Sequence, residues 1–126
     1  MTSSFTSKQL ESAGKSADMN RITTANEKIR SDLHFWKRGA IGELKVEGNC
    51  ILGHEAAGLV LEVGEGVTTM RKGDRVAIEP QVPCGTCFSC TSGRTNLCPQ
   101  VKFIGVYPYH GSLQRFKVHP ARYVHK

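Results

Sequence analysis

Cys84-Gly-Thr-Cys87-Phe-Ser-Cys90, followed after seven residues by Cys98, places four thiols within fifteen positions. A thiolate is a soft, charged donor, and four of them close a tetrahedron around Zn²⁺ with no position left open. Two-residue gaps let a tight turn aim neighbouring sulfurs at one centre, and the longer gap lets the chain loop back with the last ligand. Gly85 and Gly93 stand where such a loop needs permissive backbone. The spacing therefore predicts a structural zinc lobe. Paired disulfides are disfavoured because nothing in the chain points to secretion. The bacterial iron–sulfur run also ends in Cys-Pro, as Cys98-Pro99 does, but has three residues before its last cysteine where this chain has seven. A nucleic-acid zinc ribbon needs two separated C-x-x-C knuckles. Zinc is the favoured reading and an iron–sulfur cluster its chief alternative.

A second constellation is Gly53-His54-Glu55. An imidazole nitrogen and a carboxylate can both ligate a metal while leaving room for water or substrate, or the carboxylate can tune the site from outside. Taken alone, a histidine beside a glutamate is more often an ordinary turn histidine with a surface carboxylate. The fifth cysteine, Cys50, lies four residues before His54.

The formal net charge of +6 falls to +4 once four thiolates and one Zn²⁺ are counted. The basic residues are scattered, without a dense block or interleaved aromatics, so a nucleic-acid groove is not expected. No stretch is long and apolar enough to cross a bilayer. Met1-Thr-Ser-Ser-Phe-Thr-Ser-Lys8 lacks an apolar core, and Glu11 and Asp18 argue against a transit peptide, so the expected location is cytoplasmic.

The elements that must hold these groups are short and β-rich. Residues 1–28 are rich in Ser, Thr, Asn and Lys and are expected to be a disordered polar leader, with a marginal helix through Ala25–Leu33 as the alternative. Beyond it, Ala57–Val63 reads as a strand closed by Gly64-Glu-Gly66, and Arg75–Glu79 as a strand ended by Pro80. Val101–Val106, Ser112–Val118 and Arg122–His125 are further short candidates. Strands at such spacing suggest a barrel or sandwich, in one domain with a modest core, and the cysteine loop is an excursion from it.

Several motifs occur in order: Ser31-Asp-Leu-His-Phe-Trp-Lys-Arg-Gly39, Ile51-Leu-Gly-His-Glu-Ala-Ala-Gly58, Val60-Leu-Glu-Val-Gly64 and Gly73-Asp-Arg-Val-Ala-Ile-Glu-Pro80. The cysteine run ending Gly93-Arg-Thr-Asn-Leu-Cys-Pro99, His110-Gly-Ser-Leu-Gln-Arg-Phe116 and His119-Pro120 complete the set. On these motifs, roughly the last three quarters of the chain resembles the zinc-containing medium-chain alcohol dehydrogenases, most closely their sorbitol, xylitol and arabinitol dehydrogenase branch. The resemblance implies a mainly β, GroES-like barrel and a chemistry in which a zinc-bound alkoxide gives hydride to NAD, the product being a ketone. It also implies roles: Cys84, Cys87, Cys90 and Cys98 as structural zinc ligands, His54 and Glu55 at the catalytic zinc, and Ser31 as the hydroxyl that relays the alcohol proton. Phe35, Trp36 and Phe116 match the substrate-pocket region, with core packing an equally good reading for the first two.

Three departures qualify that expectation. The family's Cys-Gly before Ser-Asp, whose cysteine is a catalytic zinc ligand, is Ile29-Arg30 here. Isoleucine offers no donor atom, so a catalytic zinc is doubtful unless Cys50 substitutes. Residues 1–28 do not resemble the family's opening strands, so a partial barrel over 29–126 with an exposed edge is expected. No G-x-G-x-x-G opens a helix, so no NAD-binding Rossmann unit is expected. The expected function is that of the catalytic-domain portion of a polyol dehydrogenase, inactive as an isolated chain. The alternative is a non-catalytic zinc module, or a fragment that docks on full-length relatives as a homo- or hetero-oligomer.

Overall fold

A computed structural model describes residues 19–26 and 30–126. The sequence Ala-Ala-Gly-Leu-Val-Leu-Glu-Val forms strand β4 (Ala56–Val63), at the centre of a five-stranded antiparallel sheet. Its partner β5 (Arg75–Ile78) shows the period of two that a half-covered strand requires. Val76 and Ile78 are buried, and Arg75 and Ala77 are exposed. The sheet order is β8-β1-β4-β5-β9, with β1 at Met19–Asn26, β8 at Phe116–Pro120 and β9 at Val124–His125. Two small ribbons complete the strands: β2 (Ala40–Ile41) with β3 (Leu44–Lys45), and β6 (Gln81–Val82) with β7 (Lys102–Phe103). The one longer helix, Arg30–Arg38, places Asp32 in its first turn and Lys37 and Arg38 in its last, as its dipole favours.

The polar leader expected over residues 1–28 is corrected at its end: Met19–Asn26 is a strand, not disordered chain. The barrel therefore has a strand where an opening gap was anticipated. Residues 1–18 and 27–28 lie outside the described residues. β1 pairs with β4 along Asn20–Asn26 and with β8 along Met19–Thr23. Its main chain is satisfied on both sides, and that, rather than apolar side chains, is what places it. β4 admits β1 because Gly58 faces it: a Cβ there would lie 1.7 Å from the Thr23 carbonyl oxygen. Thr24 extends the contact, its N–H donating to the Arg115 carbonyl at 3.2 Å and its hydroxyl to the Ser112 carbonyl at 3.0 Å.

Other boundaries moved less. Val101–Val106 contributes only Lys102–Phe103, and Ser112–Val118 begins as a loop and pairs from Phe116 onward. Ala121–Tyr123 is a single 3₁₀ turn before β9. The marginal helix around Ala25–Leu33 is displaced to Arg30–Arg38.

The core is Ile22, Val60, Met70, Val76, Ile78, Ile104 and Val124. Two polar side chains are buried beside it. Asn20 is wholly buried; among the described residues its Nδ2 reaches only the Met70 sulfur, at 3.2 Å, and its Oδ1 has no partner. An unsatisfied buried acceptor costs about 1–3 kcal/mol. Asn20→Leu, which is close in volume, should therefore raise the urea midpoint of the zinc-loaded chain by an amount worth about 1–2 kcal/mol. An unchanged or lower midpoint would show that the amide is satisfied in solution.

His119 is also buried, and its Nε2–H donates to the Glu79 carbonyl at 2.9 Å. Burial, with the nearby Lys117 charge adding to it, pulls this imidazole down to about 4. Its folded value thus lies below the unfolded value of about 6.5, so the unfolded chain takes the proton first. The stability that His119 supplies is complete above pH 6.5 and is lost as the pH falls toward 4. Between pH 7 and 4.5 the wild-type chain should lose on the order of 2 kcal/mol more than His119→Gln. Parallel pH–stability curves for the two proteins would refute this.

Candidate functional site: a four-sulfur lobe and a histidine–aspartate pair

The loop between β6 and β7 gathers the cysteines. The sulfurs of Cys84, Cys87, Cys90 and Cys98 all lie within 4.8 Å of one another, the only such group of three or more metal-ligating side chains among the described residues. Cys84 and Cys90 are 3.9 Å apart and Cys87 and Cys90 3.5 Å. Sulfurs at the corners of a tetrahedron with Zn–S bonds of about 2.3 Å stand about 3.8 Å apart. The donor set therefore fits one tetrahedral ion, and all four cysteines are free of disulfides. Gly85 and Gly93 take positive φ angles of 79° and 80°, the left-handed backbone expected of them.

The lobe has little else to hold it. It consists of one helical turn, Phe88–Thr91, and one 3₁₀ turn, Thr95–Leu97, and its large apolar side chains face solvent, Phe88 being 80% and Leu97 60% exposed. No member of the core cluster comes from residues 84–98. Ligand bonds would replace the missing apolar burial. Electrostatics agree. Backbone N–H groups of Thr86 and Cys87 and the Thr86 hydroxyl pull Cys84 down to about 6. Desolvation and neighbouring sulfurs push Cys90 up to about 12. Without a cation the surroundings favour a thiolate at Cys84 and oppose one at Cys90; a divalent ion would deprotonate all four.

The second site is built from two backbone segments. Residues 110–114 clamp Ile51–Gly53 through Gly111 N–H to Ile51 O (2.6 Å), Leu113 N–H to Leu52 O (2.9 Å) and Ser112 N–H to Gly53 O (2.8 Å). The fit is close: a Cβ on Gly53 would lie 2.7 Å from Leu113 Cγ, and one on Gly111 2.2 Å from Gly53 O. This clamp fixes the start of the His54 segment. Asp32, buried in the first turn of the Arg30–Arg38 helix, accepts the Gly53 N–H at 3.2 Å and faces His54 Nδ1 at 3.4 Å. The carboxylate thus orients the imidazole and leaves Nε2 as its available donor atom. Asp32 Oδ2 is buried without a partner among the described residues. The other face of the His54 ring meets Phe103, with centroids 5.6 Å apart.

The residues expected at this site are only partly brought together. Ser31 is half-buried beside Asp32, and Phe35 is buried on the same helix, whereas Trp36 is 76% exposed and Glu55 is exposed. Cys50 does not join His54 and Glu55 in a three-donor set. Its sulfur instead lies 3.6 Å from the Ile51 carbonyl and 3.8 Å from that of Tyr109, and burial raises its pKa. Ile29 lies outside the described residues, and its side chain carries no donor atom. Among the described residues, no three donors converge around His54 as a catalytic zinc would require. Asp32 was not singled out from sequence, although its place in Ser31-Asp-Leu-His was the available signal.

Residues 23–126 match the family described as the alcohol dehydrogenase GroES-like domain. The chain belongs to that family. It is 49% identical over 96 residues to an L-arabinitol 4-dehydrogenase of Aspergillus oryzae, covering 76% of this chain and 25% of that protein. A probable D-xylulose reductase A of Aspergillus fumigatus is 44% identical over 96 residues, covering 76% of this chain and 27% of its own length. The GroES-like domain also superposes, at a TM-score of 0.80 and 38% identity, on an oxidoreductase/dehydrogenase of unknown specificity from Escherichia coli, covering 89% of this chain and 33% of that one. The chain spans about a quarter of the length of the curated relatives it matches. Among the described residues, no helix of this domain is long and apolar enough to cross a membrane.

Chelation should act on the lobe and spare the sheet. Stripping metal from the domain, or introducing Cys98→Ser, is expected to open residues 84–98 to limited proteolysis while β4 and β5 keep their amide protection. Equal protease resistance with and without metal would mean that the sulfurs hold no ion.

Proposed function

We propose that this chain is the alcohol-site portion of a zinc-dependent oxidoreductase acting on polyols with NAD as hydride acceptor, and that its four-cysteine lobe carries a structural zinc. What supports the substrate class is the run of matched residues from Ser31 onward, together with relatives whose names are those of arabinitol and xylulose enzymes. In that reading Ser31 would pass on the alcohol proton, and Asp32 would hold His54 in position. Glu55, exposed beside it, would face solvent or the incoming alcohol.

Ile29 limits what this chain does. With no donor atom there, His54 and Glu55 are too few to hold a catalytic zinc, and no oxidation step is derived through one. The chain as it stands is therefore proposed to be a zinc-stapled domain without turnover. The same residue favours a second role, as a non-catalytic partner of a full-length polyol dehydrogenase.

Metal analysis and turnover test this together. The purified chain should carry about one zinc and form no NADH from NAD with sorbitol, xylitol or arabinitol. The double variant Ile29→Cys with Arg30→Gly should raise the content to about two. Turnover by the unaltered chain, or two zincs bound to it, would overturn the proposed role of Ile29. Absence of any mixed complex with a full-length relative would remove the second role.

A further inference from the structure

On the far side of β7 from His54 lies a cavity of about 550 Å³, open on one side and bounded by β8, β7 and the 108–114 loop. Alternation along β7 separates the two sites: Phe103 meets the His54 ring, while its neighbours Lys102 and Ile104 line the cavity. The volume falls in the range of small-molecule sites, about 300–1,000 Å³. Its walls are chiefly apolar, among them Val82, Ile104, Phe116 and Val118, and no aspartate or glutamate is among its described lining residues.

Two ammonium groups do line it, Lys117 and Lys102. Lys117 Nζ donates to the His110 carbonyl at 2.6 Å, which leaves two of its three N–H groups to be satisfied. Asp32, Asp74 and Glu79 pair with His54, Arg71, Lys126 and His125. None of them meets Lys117. A half-buried ammonium with no carboxylate among the described lining residues, and the Cys50 thiol as its acidic neighbour, can accept an anion on the wall of an apolar cavity. Burial does draw Lys117 down to about 8.

We propose that this cavity binds a monoanionic carboxylate with a hydrocarbon body. The head would sit on Lys117, with Lys102 at the rim, and the chain would lie against Ile104, Phe116 and Val118. One enclosed ammonium matches one negative charge. The apolar walls match a hydrocarbon better than a hydrated dianion such as phosphate.

The zinc-loaded 126-residue chain can be titrated at pH 7 with octanoate, 1-octanol and inorganic phosphate, following backbone amide shifts and binding heat. Octanoate should bind and move the amides of Lys102–Ile104 and Phe116–His119. Octanol should bind at least about tenfold more weakly, as a charge-assisted hydrogen bond would require, and phosphate should not compete. Lys117→Met should weaken octanoate at least about tenfold and leave octanol unchanged, which also reports that the cavity is folded; Lys117→Arg should restore octanoate. Equal affinity for octanol and octanoate would reduce the site to an apolar groove. Displacement of octanoate by phosphate would make it an adventitious ion site, and shifts confined to other residues would remove it altogether.

Discussion

Strand β1 is held by its neighbours' backbones, and the sheet depends on that contact. Met-Asn-Arg-Ile-Thr-Thr-Ala-Asn offers the core one large aliphatic side chain, Ile22, yet it lies between β8 and β4 in a five-stranded sheet. What fixes it is a ladder of main-chain pairs on both edges and the missing side chain at Gly58, without which the Thr23 carbonyl could not approach. Removing β1 would expose the edges of both neighbours. It would also uncover Val60 and Val76, which belong to the same buried cluster as Ile22.

From this sheet the two candidate sites are built by opposite means. His54 is placed by backbone: the 110–114 loop grips Ile51–Gly53, and Asp32 receives both the Gly53 N–H and the imidazole. The cysteine lobe has no such frame. Its apolar side chains point outward, and its sulfurs are arranged to be organised by a cation rather than by packing. One site is preformed, with no third donor among the described residues; the other has a full donor set and little else to stabilise it.

The sequence was informative where side chains carry the signal. Four cysteines at metal spacing do converge, and Gly85 and Gly93 do take the left-handed backbone that the loop needs. β4 and β5 were legible because alternation of apolar residues and closing Gly or Pro marked them. β1 was not legible, since a polar strand paired on both edges leaves no apolar period to read. Nor was the shortening of Ser112–Val118 to Phe116–Pro120. Residues 112–114 spend their N–H groups on the Ile51–Gly53 clamp and on a local turn, a tertiary demand that the strand pattern could not reveal.

The stretch from Met19 to Arg30 brings these points together, because it has two tasks that read the chain differently. Forming β1 requires N–H and C=O groups in register, which any residue but proline supplies, so Asn20 and Thr24 serve there despite their polarity. Supplying a metal ligand requires one particular atom on one side chain, and Ile29 has none. A segment can therefore depart widely from its relatives and still complete the sheet, while, on the reading proposed for Ile29, a single position would withhold a donor from the centre that the sheet positions. Membership in the alcohol dehydrogenase GroES-like family rests on the match over residues 23–126, which begins within β1. Alcohol oxidation, on the reading proposed for Ile29, would depend on the second task.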